Sequence, residues 1–229
     1  VPVGGGGLCT GVSTLAKLLN PKIKVIAVEP TGAACLKASL EAGEVTTVSK
    51  INTIADGTAV QTPGDKLFPY LQANVDQVIT VDDSELTLSF LDMAENHKMI
   101  VENSGLLTVA ALKHLDFKGK KVVSVLSGGN MDVLTMATVV QNGLMQRDRI
   151  FTVSVMLPDK PGQLAAVSAL IAKEQGNVIK LEHNVFANVN RTAGVELTIT
   201  LESFGTEHKD QIIKALETAG YCPVISKTS

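Results

Sequence analysis

Val1-Pro2-Val3-Gly4-Gly5-Gly6-Gly7-Leu8 opens the chain and decides how the rest is read. Two β-branched residues flank a proline, four glycines follow, and an apolar run begins at Leu8. That is the pattern of a strand end, a glycine loop and a helix running to about Asn20. Glycine takes up backbone angles closed to other residues and lets a ligand approach the backbone closely. At a helix start, free N–H groups and the helix dipole together suit a phosphate. The P-loop pattern is missing, because no Gly-Lys-Ser/Thr follows the glycines. The dinucleotide fingerprint also fails, its third glycine falling on Cys9 or on Thr10, although Glu29 sits about where a ribose-binding acid would follow the second strand. A tight turn without a ligand is the alternative reading. Against it stands the backbone entropy that four consecutive glycines lose on folding.

The remaining composition narrows the class. At 229 residues, the chain has room for one large or two small domains. It is 45% hydrophobic and 19% charged and has no tryptophan, which fits a globular protein with an aliphatic core. A net charge of −3 gives no reason to expect nucleic acid or an anionic membrane as partner. No apolar run approaches the roughly 18 residues needed to span a bilayer. Cys9, Cys35 and Cys222 are scattered and odd in number, which argues for reduced thiols in a cytoplasmic protein and against a disulfide framework or a zinc site. The chain begins without methionine, inside a strand–loop–helix unit, and the expectation is a C-terminal piece of a longer polypeptide.

Along the chain, helices are expected over 8–19, 33–42, 82–97, 104–114 and 131–146, with Asp82-x-x-Glu85 as a capping box and Ser104 as a cap. Asp65 is a candidate cap for a short helix broken by Pro69. Strands are expected over 22–28, 77–81, 99–101 and 121–126. This alternation implies an α/β fold with a parallel sheet, whose ligands bind beyond the C-terminal strand ends. The glycine loop, Glu29, Glu102 and Ser127 all fall at such ends. Ser127 also reads as a plain cap of the helix that follows, and Glu102 as a solvated or salt-bridged glutamate. Past Arg147 the rhythm changes: strands over 149–157, 178–186, 194–201 and 221–225 with helices over 164–174 and 206–218 give βαββαβ, a ferredoxin-like order. The expected division is 1–147 and 148–229.

Five segments, taken together and in order, carry a resemblance. They are Pro2-Val3-Gly4-Gly5-Gly6-Gly7-Leu8, Ala27-Val28-Glu29-Pro30, Ile54-Ala55-Asp56-Gly57, Val101-Glu102-Asn103-Ser104-Gly105 and Leu126-Ser127-Gly128-Gly129-Asn130. Over residues 1–147 the chain resembles the threonine dehydratases, pyridoxal-phosphate enzymes of the fold-type-II group that also holds serine racemase and serine dehydratase. Leu157-Pro158-Asp159-Lys160-Pro161-Gly162-Gln163-Leu164 makes the remainder similar to an ACT domain, a module that binds amino-acid effectors.

The resemblance implies that Gly4, Gly5, Gly6, Gly7 and Leu8 hold the cofactor phosphate through their N–H groups, that Ser127 meets the pyridine nitrogen, and that Glu102 lies near the ring. It implies β-elimination of threonine to 2-oxobutanoate and ammonia, with serine as the alternative substrate. The lysine that forms the Schiff base lies upstream of the glycine loop in this family, so no catalytic residue is expected in the chain, which by itself should be inactive. Glu29 and Ala33 match positions that bind a divalent metal in serine racemases. The third ligand there is an aspartate, and Cys35 stands in its place; a thiol suits Mg²⁺ or Ca²⁺ poorly, so no metal is expected. Asp159, Gly162, Gln163, Leu164 and Asn177 match the effector-binding pattern of ACT domains, which operates across a dimer interface. The expected partners are thus an amino-acid substrate, an amino-acid effector (isoleucine or valine) and further copies in a dimer or tetramer. A non-catalytic, amino-acid-binding dimerisation module is the alternative.

Overall fold

The computed structural model describes residues 1–184 and 194–226, in two compact units, Val1–Val140 and Gln141–Ser229. In the first, Ile26–Pro30 (β1) pairs in parallel with Gln77–Val81 (β2), Ile26 opposite Gln77 and Pro30 opposite Val81. The opening residues extend this pairing by a single parallel bridge between Pro2 and Val28, with Val3 N–H donating to the Val28 carbonyl at 2.9 Å. Helix Gly7–Leu19 (α1) then starts behind Gly6, which at φ 95° adopts a left-handed conformation open to glycine at little cost. The apolar stripe that marks α1 in the sequence is largely not what it buries. Cys9 and Ser13 face inward, whereas Leu18 and Leu19 are 78% and 76% exposed.

Helix Cys35–Ala42 (α2) closes on Gly43 at φ 78°. Helix Phe68–Asn74 (α3) begins at the proline expected to break it: Pro69 occupies the first turn, where its missing N–H would have had no acceptor. Helix Asp83–Asp92 (α4) opens on the predicted capping box, with the Asp82 N–H donating to Glu85 Oε2 at 2.9 Å. It widens into a π-turn over Met93–His97 and stops at Lys98, φ 56°. Helix Asn103–Ala110 (α5) is preceded by Glu102, not by the predicted cap Ser104, because the extended backbone ends at Glu102. Helix Val133–Gln146 (α6) carries the chain into the second unit. Asp132 caps it by accepting the N–H groups of Leu134 and Thr135 at 2.9 and 3.0 Å, which removes the plain capping role from Ser127. Two aliphatic cores form, one around Leu86, Phe90, Leu106 and Leu107, the other around Val3, Leu36, Phe68 and Leu71.

Two predicted strands of this unit do not form. The Met99 N–H closes the π-turn by donating to the Met93 carbonyl at 3.2 Å, so 99–101 has no ladder. Residues 121–126 are held instead by side chains: Thr108 Oγ1 donates to the Val125 carbonyl at 3.1 Å and Ser124 Oγ to that of Thr108 at 3.4 Å. A strand is defined by a row of backbone partners. Among the described residues this stretch has none, and Val123 is 85% exposed.

The second unit follows the predicted order: Ile150–Leu157 (β3), Gln163–Lys173 (α7), Asn177–Asn184 (β4), Val195–Glu202 (β5), Thr206–Thr218 (α8) and Val224–Ser226 (β6). Its sheet order is β4-β5-β3-β6, antiparallel throughout. Alternation places Val153, Val155, Leu197 and Ile199 in one core with Val167, Ile171, Ile212 and Leu216 of the two helices. Thr152–Thr200 and Ser154–Thr198 hydroxyl pairs bridge neighbouring strands at 3.0 and 3.1 Å. Phe186, the predicted end of the second strand of this unit, lies outside the described residues.

Candidate cofactor site

The glycine loop bends between β1 and α3. Gly64 N–H donates to the Gly5 carbonyl at 3.0 Å, and the first α1 bond runs from Thr10 N–H to the Gly6 carbonyl at 2.8 Å. The N–H groups of Gly4, Gly5, Gly6, Gly7 and Leu8 donate to no acceptor among the described residues. On its inner side the loop is tight: a Cβ on Gly4 would lie 2.9 Å from Thr58 Cα, and one on Gly6 would lie 2.7 Å from Leu71 Cδ1. Around Gly5 and Gly7 a Cβ would meet nothing within 4 Å. Five donors at the positive end of a helix, with side-chain space open at two of them, suit an anion.

From Gly4 a continuous series of contacts leads to the other predicted residues. Gly4 abuts Thr58 and the Gly57 carbonyl; a Cβ on Gly57 would lie 2.9 Å from Ser104 Oγ and 3.6 Å from Glu102 Oε1. Glu102 in turn meets the loop after residue 126, its Oε2 accepting the Asn130 N–H at 3.1 Å and its N–H donating to the Gly128 carbonyl at 3.1 Å. The structure thus brings Gly4, Glu102 and the Ser127 loop onto one rim. The Ser127 side chain is exposed and makes no hydrogen bond among the described residues. Two buried groups on this rim also lack hydrogen-bond partners among the described residues, Ser104 Oγ and Asn103 Oδ1; the Asn103 amide nitrogen donates to the Ile54 carbonyl at 3.0 Å. The roles of Gly57 and Gly128 as clearance for Glu102 and Ser104 were missed in the sequence. Ile54-Ala55-Asp56-Gly57 and Leu126-Ser127-Gly128-Gly129-Asn130 read there as motifs, and only packing shows what each glycine faces.

Glu29 does not join the rim. It is fully buried at the end of β1, with Oε1 accepting the Leu36 N–H at 2.7 Å and Oε2 the Lys37 N–H at 2.8 Å. Burial pushes its carboxyl up, against the opposing pull of those two N–H groups and the Cys35 thiol. Burial likewise pushes the Cys35 thiol to about 12 and that of Cys9 to about 11, so both stay protonated and unreactive at neutral pH. Glu29 is therefore a buried cap on α2. Among the described residues no three His, Cys, Asp or Glu side chains cluster as metal ligands would.

The five predicted effector residues do not converge within one chain. Asp159 and Gly162 lie in the turn from β3 to α7, with Gly162 at φ 91° as the N-cap, and Gln163 and Leu164 open the helix. Asn177 starts β4 opposite Glu202, which itself pairs with Ile150 at the other end of β3. Seven steps of strand separate the two ends, about 23 Å.

Residues 1–128 match the family model described as pyridoxal-phosphate dependent enzyme. The chain belongs to that family. It is 37% identical over 224 residues to the L-threonine ammonia-lyase of Geobacter sulfurreducens, covering 96% of this chain and 56% of that protein. To the L-threonine ammonia-lyase of Thermotoga maritima it is 36% identical over 222 residues, covering 96% and 55%. The chain thus spans about half the length of these curated relatives. Among solved structures, the processed form of threonine deaminase isoform 2 from Solanum lycopersicum superposes with a TM-score of 0.57 at 33% identity, over 62% of this chain and 42% of that one. Serine racemase from Dictyostelium discoideum gives 0.52 at 43% identity, over 58% and 43%.

Pyridoxal phosphate is the cofactor of this family, and the residues present fit it. The unsatisfied N–H groups of the glycine loop suit its phosphate, and the rim beyond them offers the free hydroxyl of Ser127. No helix among the described residues is long and apolar enough to cross a membrane.

Proposed function

We propose that this chain supplies the phosphate-holding and ring-holding part of a pyridoxal-phosphate-dependent threonine ammonia-lyase, residues 1–147, followed by an effector-binding ACT module, residues 148–229. The observation that carries the reading is the single rim running from the donors of Gly4, Gly5, Gly6, Gly7 and Leu8 past Gly57 and Glu102 to Ser127. The names of the relatives in Geobacter sulfurreducens and Thermotoga maritima support the substrate.

In this reading the glycine loop binds the phosphate through main-chain donors, so affinity there depends on backbone shape and not on a charged side chain. Ser127 meets the pyridine nitrogen with a neutral hydroxyl, which forms a hydrogen bond without imposing a full charge. The bound cofactor supplies an electron sink for breaking bonds at the α-carbon of an amino acid. Proton movement at that carbon is assigned to the family's Schiff-base lysine, and several lysines of this chain are engaged elsewhere. Lys17 is held by Asp76 at 2.7 Å, Lys98 by the Glu95 carbonyl at 2.5 Å and Lys120 by the Asp116 carbonyl at 3.0 Å. We therefore propose that the 229 residues alone bind the cofactor without turning threonine over.

Asp159, Gly162, Gln163 and Leu164 of one copy, with Asn177 of another, would hold an amino-acid effector, isoleucine or valine. The strand length between the two ends keeps one copy from supplying both. Serine as substrate is the second reading, favoured by the 43% identity to serine racemase from Dictyostelium discoideum.

The test is to incubate the purified chain with pyridoxal phosphate and threonine or serine, following keto-acid formation, cofactor binding by absorbance and effector binding by calorimetry. Cofactor binding without turnover is expected. Absence of cofactor binding would remove the catalytic reading and leave the amino-acid-binding module. Turnover of threonine would overturn the proposed inactivity while keeping the class, and faster turnover of serine would exchange the substrate.

A further inference from the structure

We infer that Glu102 is the positioning residue of the Ser127 loop, gripping it from both its main chain and its side chain. The inference rests on the reading of Ser127 as the ring-nitrogen partner only for its consequence in catalysis; the grip itself is a matter of geometry.

Three observations carry it. First, two hydrogen bonds join positions 28 or fewer residues apart in sequence but in no common ladder. Glu102 N–H donates to the Gly128 carbonyl at 3.1 Å, and Asn130 N–H donates to Glu102 Oε2 at 3.1 Å. Together they fix the residue after Ser127 and the end of its loop. Second, glycines clear the way for this approach. A Cβ on Gly128 would fall 2.3 Å from Glu102 Oε1 and 2.8 Å from Oε2, and one on Gly105 would fall 3.3 Å from the Gly128 carbonyl oxygen. No other residue type leaves space for the carboxylate against the loop. Third, although Leu126 and Met131 on either side pack against the core, few hydrogen bonds hold the loop between them. The stretch leading into it, residues 121–126, pairs with no strand among the described residues. Within the loop itself the remaining main-chain bond is local, from Met131 N–H to the Gly129 carbonyl at 3.0 Å.

A carboxylate accepting a main-chain N–H forms a stronger bond than a neutral acceptor does. Glu102 therefore sets where the backbone of 128–130 lies, and through it where the Ser127 hydroxyl points. A glutamate that merely lined the ring would need neither the Asn130 bond nor the missing side chain of Gly128.

Amide hydrogen exchange and amide proton shifts of the 229-residue chain, followed by NMR, test this without any cofactor. In Glu102→Ala, exchange at Asn130 should accelerate about tenfold and its amide proton should move upfield, while Leu86 in α4 keeps its protection as a control on the fold. Glu102→Gln retains a side-chain oxygen of the same reach and should restore most of the protection; being isosteric, it also guards against a misfolded alanine variant. Unchanged exchange at Asn130 in Glu102→Ala, or a glutamine variant no better than alanine, would overturn the inference. Where the chain is assembled into an active enzyme, Glu102→Ala and Ser127→Ala should combine less than additively in kcat, because one acts through the other. Full additivity would overturn the link to Ser127. A chain that binds no pyridoxal phosphate yet shows the Asn130 effects would remove the proposed function and leave the grip in place.

Discussion

The Glu29 carboxylate accepts the Leu36 N–H at 2.7 Å, seven residues on, and does so with no exposure to solvent. Its second oxygen takes the Lys37 N–H at 2.8 Å, so a side chain from the end of β1 satisfies two of the otherwise unpaired donors at the start of α2. Glu29→Ala leaves both donors without that acceptor and should lower stability at neutral pH by about 2 kcal/mol. Glu29→Gln, which keeps one oxygen, should cost less. Urea unfolding of the two variants checks the order.

At the glycine loop, substitutions should separate folding from binding. Gly6→Ala places a Cβ at φ 95° and 2.7 Å from Leu71 Cδ1, so it should destabilise the chain by about 1–3 kcal/mol in thermal unfolding. Gly7→Ala meets nothing within 4 Å and should unfold close to wild type while binding pyridoxal phosphate more weakly. Equal binding by Gly7→Ala and wild type would argue against the loop as the phosphate cradle.

Neighbouring glycines of the Ser127 loop should likewise differ. Gly128→Ala drives a methyl group into the Glu102 carboxylate and should lower the unfolding temperature, by an amount corresponding to about 1–3 kcal/mol. Gly129→Ala approaches only the Ile100 carbonyl oxygen, at 3.4 Å, and should be nearly neutral. Calorimetric melting of the pair gives the comparison directly.

In the second unit, Asp148 accepts from the Lys209 ammonium and the Thr206 hydroxyl, each at 2.7 Å, and ties the segment leading into β3 to the first turn of α8. Burial pushes the carboxyl up, and these two donors outweigh it, holding the group below the usual aspartate value. A depressed folded value means that the linked stability is complete above the unfolded value, near 3.9, and is lost as pH falls through the folded one. Lys209→Met should therefore cost up to about 1 kcal/mol at pH 6, and its difference from wild type should shrink progressively as pH falls below about 4, through the folded value. Denaturant midpoints measured across that range test the sign.

Legibility in the sequence followed the range of the interactions involved. The capping box at Asp82 and Glu85, the end of the second helix at residue 42 and the βαββαβ order of the second unit were readable because each depends on residues a few positions apart. The strands expected over 99–101 and 121–126 were not, since a strand exists only where another backbone supplies partners, and β-branched composition does not reveal whether one does. The cap of α5 moved from Ser104 to Glu102 for a related reason: both can end an extended segment, and the segment ends where Glu102 is anchored to Gly128.

By itself the sequence determined that four glycines precede a helix, that Glu102 and Ser127 follow expected strand positions, and that the five motifs occur in family order. Only the tertiary structure decided that Glu29 is consumed by the start of α2, that Glu102 grips the Ser127 loop through Asn130, and that Asn177 lies a strand's length from Gly162. Local patterns arise from covalent spacing, which the sequence states outright. Which amide a carboxylate meets 28 residues away depends on how the chain packs, and glycines reveal their purpose only when the atom filling the space of their missing side chain is in view.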